Sequence, residues 1–362
     1  MKTFERRIIR PISYLVFPRF LRHFFLKLKM QVVLYFRPIR YTYHKGNVIL
    51  GNKLCIFASF QKNGILPTTW KYIKHLKEEL GYGVVLISNC PLQKKDISPL
   101  QNLCVEVIER ENIGYDFGAY KDGIIRFFDK LDTLETLLIA NDSVIGPIYN
   151  MQEIHDKMQN EDCDFWGMND FYESRDIFKL NTKSIPRVCS YFICFKKNII
   201  TTEAFKDYWK RLSYPNDRKI AIRHETKLGQ YFLNNKFKHS VFIKKEEIIN
   251  YIAEHRSSFD FDMFFSNKAM KNSHITKNPY FFISFFHTNY TCPMLTLTHF
   301  KMPLMKRDLI RMDIVDINIF KAILSRYEAQ LTDIISKEEI YDEMGLDTRT
   351  QNSIFKWKKY II

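Results

Sequence analysis

The sequence has no uninterrupted apolar run close to the roughly 20 residues that span a bilayer. Arg19, Arg22, Lys27 and Lys29 break its one candidate apolar core near the start, so neither a membrane span nor a cleaved secretion signal is expected. Its seven cysteines are an odd number with no CxxC spacing, several inside apolar runs, which argues against zinc and disulfides. They read as buried thiols in a reducing cytosol. Acidic residues are almost missing from residues 1–45, where Glu5 alone faces eleven Lys or Arg, so ten of the net +15 charges lie there. Glycine is scarce too, 12 residues in 362, yet three fall between Asn112 and Gly123. There is no internal repeat and no low-complexity segment.

What residues 1–45 do contain is bulky apolar side chains among the basic ones. From Pro18 onward Phe20, Phe24, Leu28, Val32 and Tyr35 recur every three or four residues, with Arg19, Arg22 and Lys29 on another side. That pattern predicts a basic amphipathic helix on an anionic membrane surface, or else a helix packed on the domain with solvated lysines. Because the surplus is terminal and not spread over a folded face, nucleic acid is not an expected partner. Arg37-Pro38 and Gly46-Asn47 suggest a boundary. The chain divides into an extension, 1–47, a main domain, 48–310, and a helical extension, 311–362, whose basic, apolar tail offers a second membrane contact.

Within the main domain, Lys53–Phe60 reads as a buried strand, followed by a helix from Pro67 with Trp70, Ile73, Leu76 and Leu80 on one face. Val84–Asn89 and Cys104–Ile108 read as further strands. Strand, helix, strand at these lengths predicts an α/β fold with a mostly parallel sheet. Later, Asn150–Met158 reads as helix, Asp162–Gly167 as a strand, Ser190–Phe195 as an edge or mixed-sheet strand and Ser240–Lys244 as another strand. The polar stretch 174–184 suits a loop over an acceptor site.

Two segments carry the chemistry. Asn112-Ile-Gly114-Tyr-Asp116-Phe-Gly118 leads into a helical repeat of Tyr120, Ile124, Phe127 and Leu131. A short apolar strand, Thr136–Ala140, then runs into Asn141-Asp142-Ser143 and stops at Gly146-Pro147. Carboxylates at the C-terminal ends of buried strands are where open α/β sheets bind ligands. Asp, Ser and Asn oxygens suit Mg²⁺ or Mn²⁺, so the pair predicts a site for a phosphorylated ligand with a divalent cation. The alternative is a turn with a helix N-cap, and a second turn after a strand.

These segments resemble the rhamnan synthesis protein F family of bacterial polysaccharide glycosyltransferases. That family's pattern is Asn-x-Gly-x-Asp-x-Gly, then Asn-Asp-Ser-x-x-Gly-Pro, then Asp-Phe-Trp-Gly, matched here by Asp164-Phe-Trp166-Gly167. Tyr115 stands where the family often has Arg. More distantly the order resembles inverting family 2 glycosyltransferases of GT-A fold. The resemblance, over about residues 50–310, implies a GT-A-like mostly parallel sheet flanked by helices. It also implies transfer of a sugar, rhamnose from dTDP-rhamnose, from a nucleoside-diphosphate donor to a growing glycan or lipid-linked acceptor, at the cytoplasmic membrane face. Ala58, Ser59, Phe60, Asn112, Gly114, Asp116, Gly118, Asn141, Ser143 and Trp166 would then contact the donor. Asp142 would hold the metal, with His287 or His299 as a late ligand. Glu225, in His224-Glu-Thr-Lys-Leu-Gly-Gln-Tyr-Phe232 and expected at a helix start, would be the base. Lys301-Met-Pro303-Leu-Met-Lys306-Arg307 resembles the family's Pro-x-x-Lys element, with bases facing a pyrophosphate or solvent. Another sugar, or a non-catalytic glycan-binding scaffold, fits the same residues. Trp166 also fits a core position, and either His a structural one.

Overall fold

The computed structural model describes residues 38–173, 185–214, 218–255, 288 and 292–311. The expected membrane helix, the 174–184 loop, His287 and the C-terminal extension lie outside the described residues. Among the described residues no helix is long and apolar enough to cross a membrane.

In chain order, β1 (Tyr41–Lys45) and β2 (Lys53–Ser59) precede α1 (Pro67–Glu78), then come β3 (Gly83–Ser88), α2 (Lys94–Leu103), β4 (Cys104–Arg110) and α3 (Tyr115–Arg126). Next are β5 (Thr136–Asn141), β6 (Val144–Ile145), α4 (Gln152–Asn160), β7 (Phe165–Glu173), β8 (Ile185–Val188) and β9 (Phe192–Lys196). After these come α5 (Glu203–Arg211), α6 (Arg218–Asn234), β10 (His239–Ile243), α7 (Lys245–Glu254), α8 (Pro293–Thr298) and β11 (Met305–Lys306), with short helical turns at Phe128–Thr133, Lys197–Ile200 and Asp308–Arg311.

The main sheet runs β1-β4-β3-β2-β5-β9-β7-β10, with β8 paired to β7. Strands β4, β3, β2 and β5 are mutually parallel, as the strand-helix-strand spacing predicts. Strand β9 is antiparallel to both neighbours, which makes it an interior mixed-sheet strand and not an edge. The result is the α/β sheet with helices on both faces that the sequence implied.

Both faces of the sheet are covered, so its central strands are apolar throughout. Side chains alternate along β2: Cys55 and Phe57 join Tyr72, Ile73 and Leu76 of α1, while Leu54, Ile56 and Ala58 join Phe117, Tyr120 and Ile124 of α3. Each fully buried Ile, Leu or Phe contributes about 1.5–3 kcal/mol relative to exposure. All seven cysteines are buried free thiols, as expected. Trp166 is fully buried on β7 between His155 and Phe192, in the core position that was its alternative to donor contact.

Three boundaries differ from expectation. Strand β1 pairs antiparallel with β4, so the sheet begins at Tyr41, inside the stretch assigned to the N-terminal extension. Helix α3 starts at Tyr115, so most of the glycine-rich segment is helix, with Gly114 as its N-cap. Glu225 stands eighth in α6, because Arg218-Lys-Ile-Ala-Ile-Arg contains no Gly or Pro to delay the helix.

Candidate functional site

The site forms where β2, β3, β4 and β5 end. Strands β2 and β5 lie side by side, with Ala58 opposite Asn141, so consecutive residues beyond them meet. Asp142 donates its backbone N–H to Ala58 O (3.2 Å). Its Oδ2 accepts from Ser59 Oγ (2.8 Å) and Phe60 N (2.8 Å). Oδ1 meets no donor among the described residues. The first strand's Ala-Ser-Phe therefore fixes the carboxylate of the second motif, and the half-exposed Asp142 keeps one oxygen for a ligand.

The turn after β4 places the first motif alongside. Arg110, buried at the strand end, ion-pairs with Asp122 (3.0 Å) and donates to Asn89 Oδ1 (3.0 Å) and Ile113 O (2.6 Å). Asp122 also accepts from Tyr41 (3.0 Å) and Tyr214. The chain then turns through Gly114 at φ 86°, in the left-handed region that glycine occupies without steric cost. Gly118 N–H returns to Gly114 O (2.9 Å), and a Cβ on Gly118 would collide with Ile113 O. Gly118 is thus buried against its own turn, whereas Asn112 is exposed.

Asn141 joins the two motifs. Its Nδ2 donates to Asp116 Oδ2 (3.2 Å), while its Oδ1 accepts from Ser143 N (3.0 Å) and Ser143 Oγ (2.5 Å). Tyr120, one helical turn after Asp116, donates to Ser190 O (2.9 Å). Burial, and then the Asp116 charge, push its phenol pKa well up, so it stays a neutral donor. Ser190 in turn donates its N–H (3.2 Å) and its hydroxyl to Glu225 Oε1. Asn141 thus ties Asp116 to the segment that carries Asp142, and Ser190 ties Tyr120, on the same helix as Asp116, to Glu225.

A third chain segment closes on this cluster. Strand β11 pairs antiparallel with β6, bringing Lys306 opposite Val144. Lys306 Nζ lies 3.3 Å from Ser143 Oγ and 4.4 Å from the Tyr191 ring centroid. Arg307 donates to Asp142 O (2.8 Å) and to the hydroxyls of Thr68 (2.8 Å) and Thr69 (3.2 Å) at the start of α1.

Among the described residues no group of three His, Cys, Asp or Glu side chains could hold a metal. The donor set of Asp142 Oδ1 with nearby hydroxyls fits a cation that takes its remaining ligands from phosphate oxygens and water, as Mg²⁺ commonly does. His299 is brought against Tyr251, ring centroids 3.8 Å apart, and neighbours Phe300. His224, beside Glu225, is buried against Phe117 (5.5 Å) with neither ring nitrogen hydrogen-bonded. Desolvation lowers its pKa to about 4.

Sequence reasoning missed Arg110, Tyr120, Ser190 and Tyr191 as parts of this network, whereas Arg307 stood among the bases expected to face a pyrophosphate or solvent. Arg110 had a signal, a charged residue closing an apolar strand just before the motif. Tyr120 had none, since its spacing marks it only as a core position.

Asp142, at the carboxyl end of β5 and near the N-terminus of α3, stands where open α/β sheets bind ligands. Residues 84–337 match the family described as rhamnan synthesis protein F, and the chain belongs to that family. It is 31% identical over 209 residues to an uncharacterised protein, y4gN, of Sinorhizobium fredii, covering 58% of this chain and 53% of that one. It is 28% identical over 140 residues to the virulence protein VirA of Vibrio anguillarum, covering 37% and 41%. The chain spans about half the length, or less, of these curated relatives.

Among solved structures, it is similar to core-mannan synthase A of Aspergillus fumigatus in its Mn/GDP form, at 9% identity over 52% of this chain and 68% of that one, TM-score 0.26. It is also similar to the mannosyltransferase Ktr4p of S. cerevisiae in complex with GDP, at 11% identity over 52% and 67%, TM-score 0.28. At that level neither fold nor ligand carries over.

Proposed function

We propose that this chain is a glycosyltransferase that moves a sugar from a nucleoside-diphosphate donor to a growing polysaccharide or lipid-linked glycan, with inversion. The observation that carries it is the pairing of the two family motifs at the end of β5, where Ser59 and Phe60 fix the Asp142 carboxylate and the neighbouring Asn141 holds Asp116. The family name favours rhamnose from dTDP-rhamnose. The basic N-terminal sequence favours work at an anionic membrane surface on its cytoplasmic face.

In this reading Ser59 and Phe60 face the donor and hold Asp142 in place, while Ala58, its side chain in the core, supports them through its carbonyl. Asn141 orients Asp116 and Ser143 toward the donor. Glu225 takes the acceptor hydroxyl proton as that oxygen attacks the anomeric carbon, and the bond from that carbon to the diphosphate breaks. Asp142 would hold a Mg²⁺ or Mn²⁺ when one is bound, and the ion would add to the neutralisation of charge on the diphosphate leaving group.

The test is a thermal-shift panel of nucleoside-diphosphate sugars with Mg²⁺, Mn²⁺ or chelator. A ligand at a hundred times its dissociation constant stabilises the fold by about 2.7 kcal/mol. One donor should raise the melting temperature, and Asp142→Ala should reduce that shift. A folded protein silent across the whole panel overturns the reading.

A further inference from the structure

Lys306 is a half-buried cation without a counter-charge among the described residues. Its recorded partners are the Ser143 hydroxyl at 3.3 Å and the face of Tyr191 at 4.4 Å. Among the described residues no carboxylate lies within ion-pairing distance of it. The neighbouring cations differ: Arg110 faces Asp122, and Arg307 donates to a backbone carbonyl and two threonines. Tyr191 is itself immobilised, fully buried with its hydroxyl donating to Asn169 Oδ1 (2.6 Å).

An ammonium has three donor hydrogens, and Ser143 takes one. The others stand at the strand ends beside Asp142, in a place where partial burial strengthens attraction to an anion. Ser143 Oγ donates its own proton to Asn141 Oδ1, so its lone pairs face the ammonium and hold it there. An ammonium acts on phosphate as a point charge and needs no planar match.

We propose that Lys306 is the protein's own cation for the donor diphosphate, so that nucleoside diphosphate binds without a divalent metal. The inference rests on the donor-site reading above. Lys306 contacts the phosphate oxygens in the bound donor and carries part of the charge that builds on the diphosphate as the sugar leaves.

Calorimetric titration of the full chain with dTDP, UDP and GDP, and with the parent nucleosides, tests this in chelator. At least one diphosphate should bind the unaltered protein. Lys306→Ala should weaken that diphosphate by about 10–100-fold, the size of a charged hydrogen bond, with the nucleoside unchanged. Lys306→Arg should retain most of the affinity. Lys306→Gln, which can still reach Ser143, should behave as Lys306→Ala; it gives the same readout should the alanine variant fold poorly. Equal diphosphate affinity in the unaltered and glutamine proteins overturns the inference and leaves the donor site standing. So does binding that requires Mn²⁺ or Mg²⁺ in the unaltered protein. No diphosphate binding with or without metal overturns both.

Discussion

Asn141 Nδ2 donates to Asp116 Oδ2 across 3.2 Å, and this bond joins two motifs that stand 25 residues apart in the chain. The same side chain accepts twice from Ser143, so one buried amide organises both carboxylate-bearing segments.

Asn141→Ala should therefore destabilise the fold by about 1–3 kcal/mol, because it leaves the Ser143 N–H without its acceptor inside the protein. Urea midpoints measure the stability loss. Donor affinity should fall as well, since Asp116 and Ser143 lose their common anchor. An unchanged midpoint would show that solvent replaces the amide.

Gly118→Ala tests the turn. In an exposed helix the change gains up to about 1 kcal/mol. Here the new Cβ meets the Ile113 carbonyl oxygen, part of the backbone, so a net loss of about 1–3 kcal/mol is expected. A stabilised variant in thermal melting would mean that the turn yields easily.

Glu225→Gln keeps an oxygen that can accept from Ser190, so the melting temperature should change little. Sugar transfer should drop about 10²–10⁴-fold while donor affinity is retained, as removal of a general base requires. Full transfer activity in the glutamine variant would remove Glu225 from the mechanism.

Acid should unfold the protein through its buried histidines. Burial lowers the pKa values of His75, His155 and His224 to about 4. An unfolded histidine titrates near 6.5, so between these values the unfolded chain binds more protons. Stability is complete above pH 6.5 and falls as the pH drops toward 4, by roughly 2–3 kcal/mol per histidine at most. Urea titrations at pH 7, 5.5 and 4.5 check this. His224→Phe should flatten the dependence, because neither imidazole nitrogen has a hydrogen-bond partner to lose.

The sequence by itself determined the parallel strands and the buried thiols, because strand periodicity and apolar runs are local properties. Lys53–Phe60, Val84–Asn89 and Thr136–Ala140 all form strands within a residue or so of expectation. It also determined that Asp142 stands at the end of β5, since it must follow that strand wherever the strand lies. Family motifs added the order of segments.

Only the tertiary structure decided which side chains are shared between distant segments. Whether Trp166 faces a ligand or the core depends on the strands beside it, and those put His155 and Phe192 against its ring. That Ala58-Ser59-Phe60 grips Asp142, that Ser190 connects Tyr120 to Glu225, and that Lys306 arrives beside Ser143 from 163 residues away follow from sheet register and strap placement. Such contacts leave no period in the sequence, because the partners are set by three-dimensional neighbourhood and not by chain spacing.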